Sequence, residues 1–151
     1  EKYDKYVPFC LQDGHDLIPS NTNLTAIFIQ QASIYPEGRM IPVMLKGIKT
    51  EQTTIQIPSI KLENKSILFP AIIGQRMAQS SKLKVGDEVL MRWRDKNGTF
   101  DAANITIVHI FKNNVSTVDN GQVWISLKKM WEITGHINHA TMLIANEKKN
   151  N

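Results

Sequence analysis

The sequence nearly does without cysteine. Cys10 is the only one, so an intrachain disulfide is excluded and pairing cannot reveal the redox compartment, although avoiding cysteine suits an oxidising one. Long apolar runs are also missing. Ile67 to Ile73 and Ala140 to Ala145 are the longest, well short of the roughly 20 residues a membrane helix needs. No leader-like segment is present. Residue 1 is Glu rather than Met, so the chain is read as part of a longer protein, and the lack of a span here excludes none elsewhere. Dense charge of one sign is absent too. The net charge of +4, from 18 basic and 14 acidic residues, is spread out, with basic doublets only at Lys82/Lys84, Arg92/Arg94, Lys128/Lys129 and Lys148/Lys149. Nucleic-acid binding needs a denser patch, so nucleic acid is not expected as a partner. A Gly-x-x-x-x-Gly-Lys phosphate cradle and a dinucleotide fingerprint are both missing, which leaves no expected cofactor.

What is present suffices for folding. A hydrophobic share of 42% and a charged share of 21% over 151 residues suit one domain, or two small subdomains sharing a seam. The stretch 70–94 organises the rest. Pro70 to Ile73 is apolar and β-branched, Gly74 breaks it, and Gln75 to Ser81 holds helix formers with Met77 and Ala78 able to face inward. Gly86-Asp87 then turns the chain into a strand in which Val89, Met91 and Trp93 alternate with Glu88, Leu90, Arg92 and Arg94.

The segment 1–23 carries loop signals, with only Tyr6 to Leu11 able to form a short element. Leu24 to Ala32 and Arg39 to Ile48 read as a hairpin around the turn Tyr35-Pro36-Glu37-Gly38. Pro58 makes Ile55 to Leu62 an edge or an irregular crossing segment. Asn97-Gly98 is the strongest turn signal and predicts a tight hairpin returning through Ala102 to Phe111. In that strand Ile105, Ile107, His109 and Phe111 alternate with Thr106, Val108 and Ile110, the pattern of a central strand. Val123 to Leu127 is a short strand, and the spacing of Leu127, Met130, Trp131 and Ile133 is that of a helix stopped by Gly135. His139 to Ala145 is a last strand. No internal repeat is evident.

Candidates for chemistry are sparse. His15, His109, His136 and His139 are the possible soft-metal ligands, but the last two, three apart, flank a turn and a strand rather than sharing a helix face, so no metal site is expected. Cys10 and His15 would need an oxyanion donor and an orienting group that the sequence does not provide. Asp87 and Glu88 point to opposite sides of a strand and suit turn formation better than acid–base work. Asn-x-Ser/Thr triplets begin at Asn23, Asn64, Asn97, Asn104 and Asn114. Trp93, Trp124 and Trp131 lie in apolar phase and read as core. No catalytic residue is assigned, and Arg92, Arg94, Lys96 and Asn97 remain the candidates for partner contact.

Four pieces in fixed order carry a resemblance. They are Val43-Met44-Leu45-Lys46-Gly47-Ile48; Ala71-Ile72-Ile73-Gly74-Gln75-Arg76-Met77-Ala78; Leu83-Lys84-Val85-Gly86-Asp87-Glu88-Val89; and Val123-Trp124-Ile125-Ser126-Leu127 before a Trp131-containing helix. Together, across about residues 40 to 145, the chain resembles the extracytoplasmic domain of FtsX-like ABC-transporter permeases, the group of the MacB-type exporters and the LolC/LolE-type lipoprotein-release permeases. The family domain lies between two membrane helices and combines a porter-like α+β part with a β-rich insertion.

The resemblance implies an α+β, mostly β chain with a few short helices. The β-rich inserted subdomain is expected at 39–135 and a reduced porter-like, membrane-proximal part at 1–38 and 136–151. It implies a non-catalytic role on the periplasmic side of the bacterial inner membrane, coupling cytoplasmic ATP hydrolysis to export or release of lipoprotein, peptide or small-molecule cargo. Implied partners are an ATP-binding subunit or domain, a second permease copy or paralogue, and periplasmic cargo or a carrier protein. The Trp93–Ile105 hairpin is short, where lipoprotein-release members carry a long loop. The alternative is a free β-barrel binding module for peptide, carbohydrate or nucleic acid. A small hydrolase using Cys10 and the histidines is the third reading.

Overall fold

The computed structural model describes residues 24–52, 57–112, 121–136, 140 and 142–145. Its strands are β1 (Leu24–Ile34), β2 (Ile41–Ile48), β3 (Pro70–Gly74), β4 (Glu88–Arg94), β5 (Phe100–Phe111), β6 (Gln122–Ser126) and β7 (Met142–Ala145). Helix α1 (Gln75–Ser81) follows β3 and α2 (Leu127–Thr134) follows β6. The chain is α+β and mostly β. In β4 the expected alternation holds: Val89, Met91 and Trp93 are buried while the residues between them are not. The Ser126 hydroxyl caps α2 by accepting from Lys129 N at 3.1 Å. Gly135 stops it at φ 80°, its N–H bonding Trp131 O, a left-handed position that glycine takes without steric cost.

The strands close on themselves. The sheet runs β2-β6-β3-β5-β4-β1, and β1 pairs back to β2, so these strands form a barrel, with β7 added at the first half of β1. β1 therefore serves three neighbours, meeting β2 along one edge and, along the other, β7 at Leu24–Ile27 and β4 at Ala32–Ile34. The expected boundary at residue 39 falls in the turn of the β1–β2 hairpin.

The topology also contains a duplication that the sequence hides. In each half a hairpin (β1–β2, β4–β5) is followed by a strand and a helix (β3–α1, β6–α2). The second strand of each hairpin runs parallel to the third strand of the other half, β2 with β6 and β5 with β3. Like strands meet antiparallel, β1 with β4 and β3 with β6. Even the helix ends correspond. Lys82 (φ 59°) and Gly135 (φ 80°) are both left-handed caps. Ser81 Oγ donates to Met77 O at 2.6 Å, as Thr134 Oγ1 does to Met130 O at 2.7 Å. The repeat survives in connectivity and cap geometry, not in residue identity, which is why no sequence repeat is visible.

Since β3 and β6 are antiparallel, the helices that follow them leave from opposite ends of the barrel. Met77 and Ala78 of α1 and Leu127 and Met130 of α2 all join the interior cluster, together with Phe28, Leu45, Met91, Ile105 and Ile125. The barrel is filled from both ends. A second cluster lies outside the wall, where Ile27, Ile48, Ile72, Phe111 and Trp124 are covered by Ile57 and Leu62. The covering strap includes a 3-10 turn at Ser59–Glu63, the irregular segment expected from Pro58; residues 53–56 lie outside the described residues. Buried Ser59 anchors the strap, its Oγ donating to Thr50 O at 3.0 Å.

One expectation about β5 is corrected. Between Ala71 and Ile72 the β3–β5 register shifts, so Ala71 faces Ile107 whereas Ile72 faces His109. Val108 is the extra residue of a bulge, and a bulge reverses the phase beyond it. Ile105 and Ile107 point inward, but Phe111 belongs to the outer cluster and Ile110 packs on the inner one.

Gly47 marks the closest approach of helix to barrel. A Cβ there would sit 2.7 Å from Met130 Cβ and 3.3 Å from Leu127 Cα. Gly47→Ala is expected to destabilise the fold by about 1–3 kcal/mol through overpacking. Its effect should be less than additive with that of Met130→Gly, because that change removes the Cβ which the new methyl would meet. Thermal or urea unfolding of the single and double variants measures both; additive losses would place the helix elsewhere.

Candidate partner interface on the β4–β5 hairpin

The outward residues of β4 and β5 meet by register: Leu90 opposite Asn104, Arg92 opposite Ala102, Arg94 opposite Phe100. Phe100 lies directly across from one arginine and diagonally from the other, so both reach it. The guanidinium carbons of Arg92 and Arg94 lie 3.8 and 4.4 Å from the centre of its ring. Phe100 is 51% exposed as a residue, so the three side chains form a cationic platform on the outer wall. Neither guanidinium pairs with a carboxylate among the described residues. The Gln30 side-chain amide donates to Arg94 O, tying this strand end to β1.

The hairpin is looser than a two-residue Asn-Gly turn. The last pair is Arg94 with Phe100, leaving 95–99 as the loop. The Asp95 carboxylate accepts from Asn97 N at 2.9 Å and from Thr99 N at 3.0 Å. With those donors satisfied, only Gly98 takes positive φ, at 78°. Lys96 N donates to Thr134 O at 2.8 Å, and the Lys96 stem lies over Gly135, its Cδ 3.2 Å from where a Cβ would be. Trp93 Nε1 donates to Ile133 O at 3.1 Å. The hairpin is thus seated on the C-terminal end of α2.

The four expected contact residues therefore separate. Arg92 and Arg94 share one platform, Lys96 has its stem on the helix end, and Asn97 is exposed at the loop tip. Phe100 was missed; the expected two-residue turn at Asn97-Gly98 would have set Arg94 across from Asp101, and the looser loop brings Phe100 there instead.

The other candidates scatter. Trp93 and Trp124 are buried and Trp131 is half-buried. Asp87 closes the turn after Gly86, accepting from Lys84 N at 2.9 Å. His136, expected at a turn, is fully buried, its ring 5.4 Å from that of Phe28. No cluster of three or more metal-ligating residues occurs among the described residues. Asn64 Oδ1 accepts from Ser66 N and Oγ. Cys10, His15, His139, Asn23 and Asn114 lie outside the described residues. His109 is on the outer wall, its Nδ1 3.3 Å from Lys61 Nζ. Beside it is an open cleft of about 300 Å³ lined by Ile60, Lys61, Glu63, Asn64 and Val108.

Comparison places this architecture. No protein-family profile matches the sequence, and no curated protein matches it. By structure, the chain is similar to the extracellular domain of the noncanonical ABC-type transporter YknZ from Gram-positive bacteria. The TM-score is 0.56 at 13% identity, covering 95% of this chain and 76% of that one. The chain shares its fold with that extracellular domain. The likeness agrees with the resemblance read from the four sequence pieces.

Two measurements test the local geometry. Asp95→Ala removes the acceptor for two loop amides and is expected to cost about 1 kcal/mol. Hydrogen exchange at Asn97 and Thr99 should speed up while the barrel amides keep their protection. At His109, burial first and the Lys61 charge second lower the pKa below the ordinary 6.5. The unfolded chain then binds the proton more tightly than the folded one. The resulting stability is full above the ordinary histidine range and is lost as pH falls through the lowered value. His109→Gln should flatten that part of the stability–pH curve relative to wild type.

Proposed function

We propose that this chain is the extracytoplasmic domain of an ABC-transporter permease, standing on the periplasmic side of the bacterial inner membrane and moving as a body when ATP is hydrolysed on a cytoplasmic subunit or domain. The observation that carries the reading is the pairing of the two chain ends of the fold. Leu24 of β1 lies opposite Ala145 of β7, so the described fold is entered and left side by side. A domain held between two membrane helices needs that geometry. The fold likeness to a transporter's extracellular domain supports the same conclusion.

In this reading the segments 1–38 and 136–151 make the membrane-proximal, porter-like part, and 39–135 the β-rich insertion. The domain has no catalysis of its own and binds no cofactor. Its partners are the ATP-binding subunit, through the membrane part, and a second permease copy or paralogue. Cargo or a periplasmic carrier would be met by the hairpin bearing Arg92, Arg94, Lys96 and Asn97. A barrel filled from both ends suits force transmission, because close-packed interiors deform little. The alternative of a free binding module draws support from the outward cationic platform, but a ligand would have to bind on the wall, since the interior is occupied by side chains.

The test is the parent protein. Hydrophobic helices on both sides of this segment, a neighbouring ATP-binding subunit, and cleavage of residues 24–145 by protease added to spheroplasts are expected. A parent found in the soluble cytoplasmic fraction would overturn the proposal.

A further inference from the structure

The platform is part of a larger open wall. One row crosses four strands by register: Pro42 of β2 opposite Ser33 of β1, Ser33 opposite Arg92 of β4, and Arg92 opposite Ala102 of β5. Small and apolar side chains flank the arginine in this row. The neighbouring row holds Arg94 and Phe100. One part of the outer wall is covered by the strap over Ile48, Ile72 and Trp124, whereas no described element covers these rows. Among the outward positions of β4, the acidic one, Glu88, stands at the far end of the strand from Arg94.

From this we infer that the wall formed by β2, β1, β4 and β5 docks an acidic, extended protein segment whose carboxylates engage Arg92 and Arg94 while its apolar side chains lie along the Pro42–Ala102 row. Three observations select that occupant. Stacking on Phe100 holds both guanidiniums close to one ring, so less side-chain freedom is lost when their N–H forks meet carboxylates. Both charges lack a carboxylate partner within the described fold, so binding does not have to break an existing ion pair. The chain itself carries a net charge of +4, which disfavours a second copy approaching this positive wall. An anionic membrane surface is recognised by roughly four to eight clustered Lys or Arg, more than this face presents. The inference names the partner chemistry of the hairpin and rests on the reading above only for the compartment in which that partner is met.

The experiment uses the full chain and a fluorescent Glu-Leu repeat decapeptide as probe, read by anisotropy. Its Gln-Leu counterpart and vesicles containing 30 mol% anionic phospholipid (about one lipid in three, a strongly charged surface) are the competing probes. The Glu peptide should bind in a salt-sensitive way. R92Q/R94Q should weaken it about tenfold, and Phe100→Ala by less. K82Q/K84Q, which removes the same charge away from the wall, should leave it nearly unchanged. Both arginines are exposed, so R92Q/R94Q is expected to fold, and circular dichroism checks it. Equal losses in the two double variants, equal binding of the Gln peptide, or preference for vesicles over peptide would overturn the inference. Arginine-dependent peptide binding in a chain whose parent proves cytoplasmic would leave the inference standing and remove the transporter reading. The reverse pattern would do the opposite.

Discussion

Closure of the barrel is the constraint on which everything else depends. The β1–β4 seam rests on pairs at Ala32, Ser33 and Ile34, and the β3–β6 seam on pairs at Ile72 and Ile73. Seams this short supply few hydrogen bonds, and hydrogen bonds add only modestly to net stability. The strength must come from what fills the ring. Met77 and Met130 enter from opposite ends and meet the inward faces of the strands, which makes the two helices part of the closure. Gly47 belongs to the same requirement, since α2 reaches the interior only where the β2 backbone lacks a side chain.

That dependence explains which parts were legible in the sequence. Val89, Met91 and Trp93 announced β4 because a half-buried strand writes its burial in a period of two. Leu127, Met130 and Gly135 announced α2 because spacing and cap are local. The ring and the duplication left no local trace, and of the strap only its irregularity showed, through Pro58. β2 is parallel to β6 across more than seventy intervening positions, and nothing within either strand encodes its partner. The bulge at Val108 shows the same limit on a smaller scale, since apolar residues on both sides of it gave an alternation that one inserted residue silently reversed.

The candidate site was legible in composition and not in geometry. Arg92 and Arg94 stood out as a doublet on an alternating strand, and the alternation placed them outside. Lys96 looked equivalent, yet the loop turns its stem onto Gly135, because the hairpin is fastened to α2 through Lys96 N and the Trp93 indole. Phe100 fell outside the expected strand, which was read from Ala102, whereas β5 begins at Phe100. Only the register with Arg94 shows that it is the surface on which the arginines rest.

Those fastenings bear on how a force or a contact would travel. The platform sits on a hairpin bonded to a helix that plugs the barrel, and the barrel shares β1 with β7 at the place where the described fold is entered and left. Each of these links is packed or hydrogen-bonded, with no flexible connection between the arginines and the Leu24–Ala145 pair among the described elements. A body built this way resists internal deformation, so displacement of its base would carry the outer wall along. Coupling between that base and the wall then needs no conformational switch inside the domain. It needs only that the barrel remain closed, which returns the burden to the two methionines and to the glycine that admits one of them.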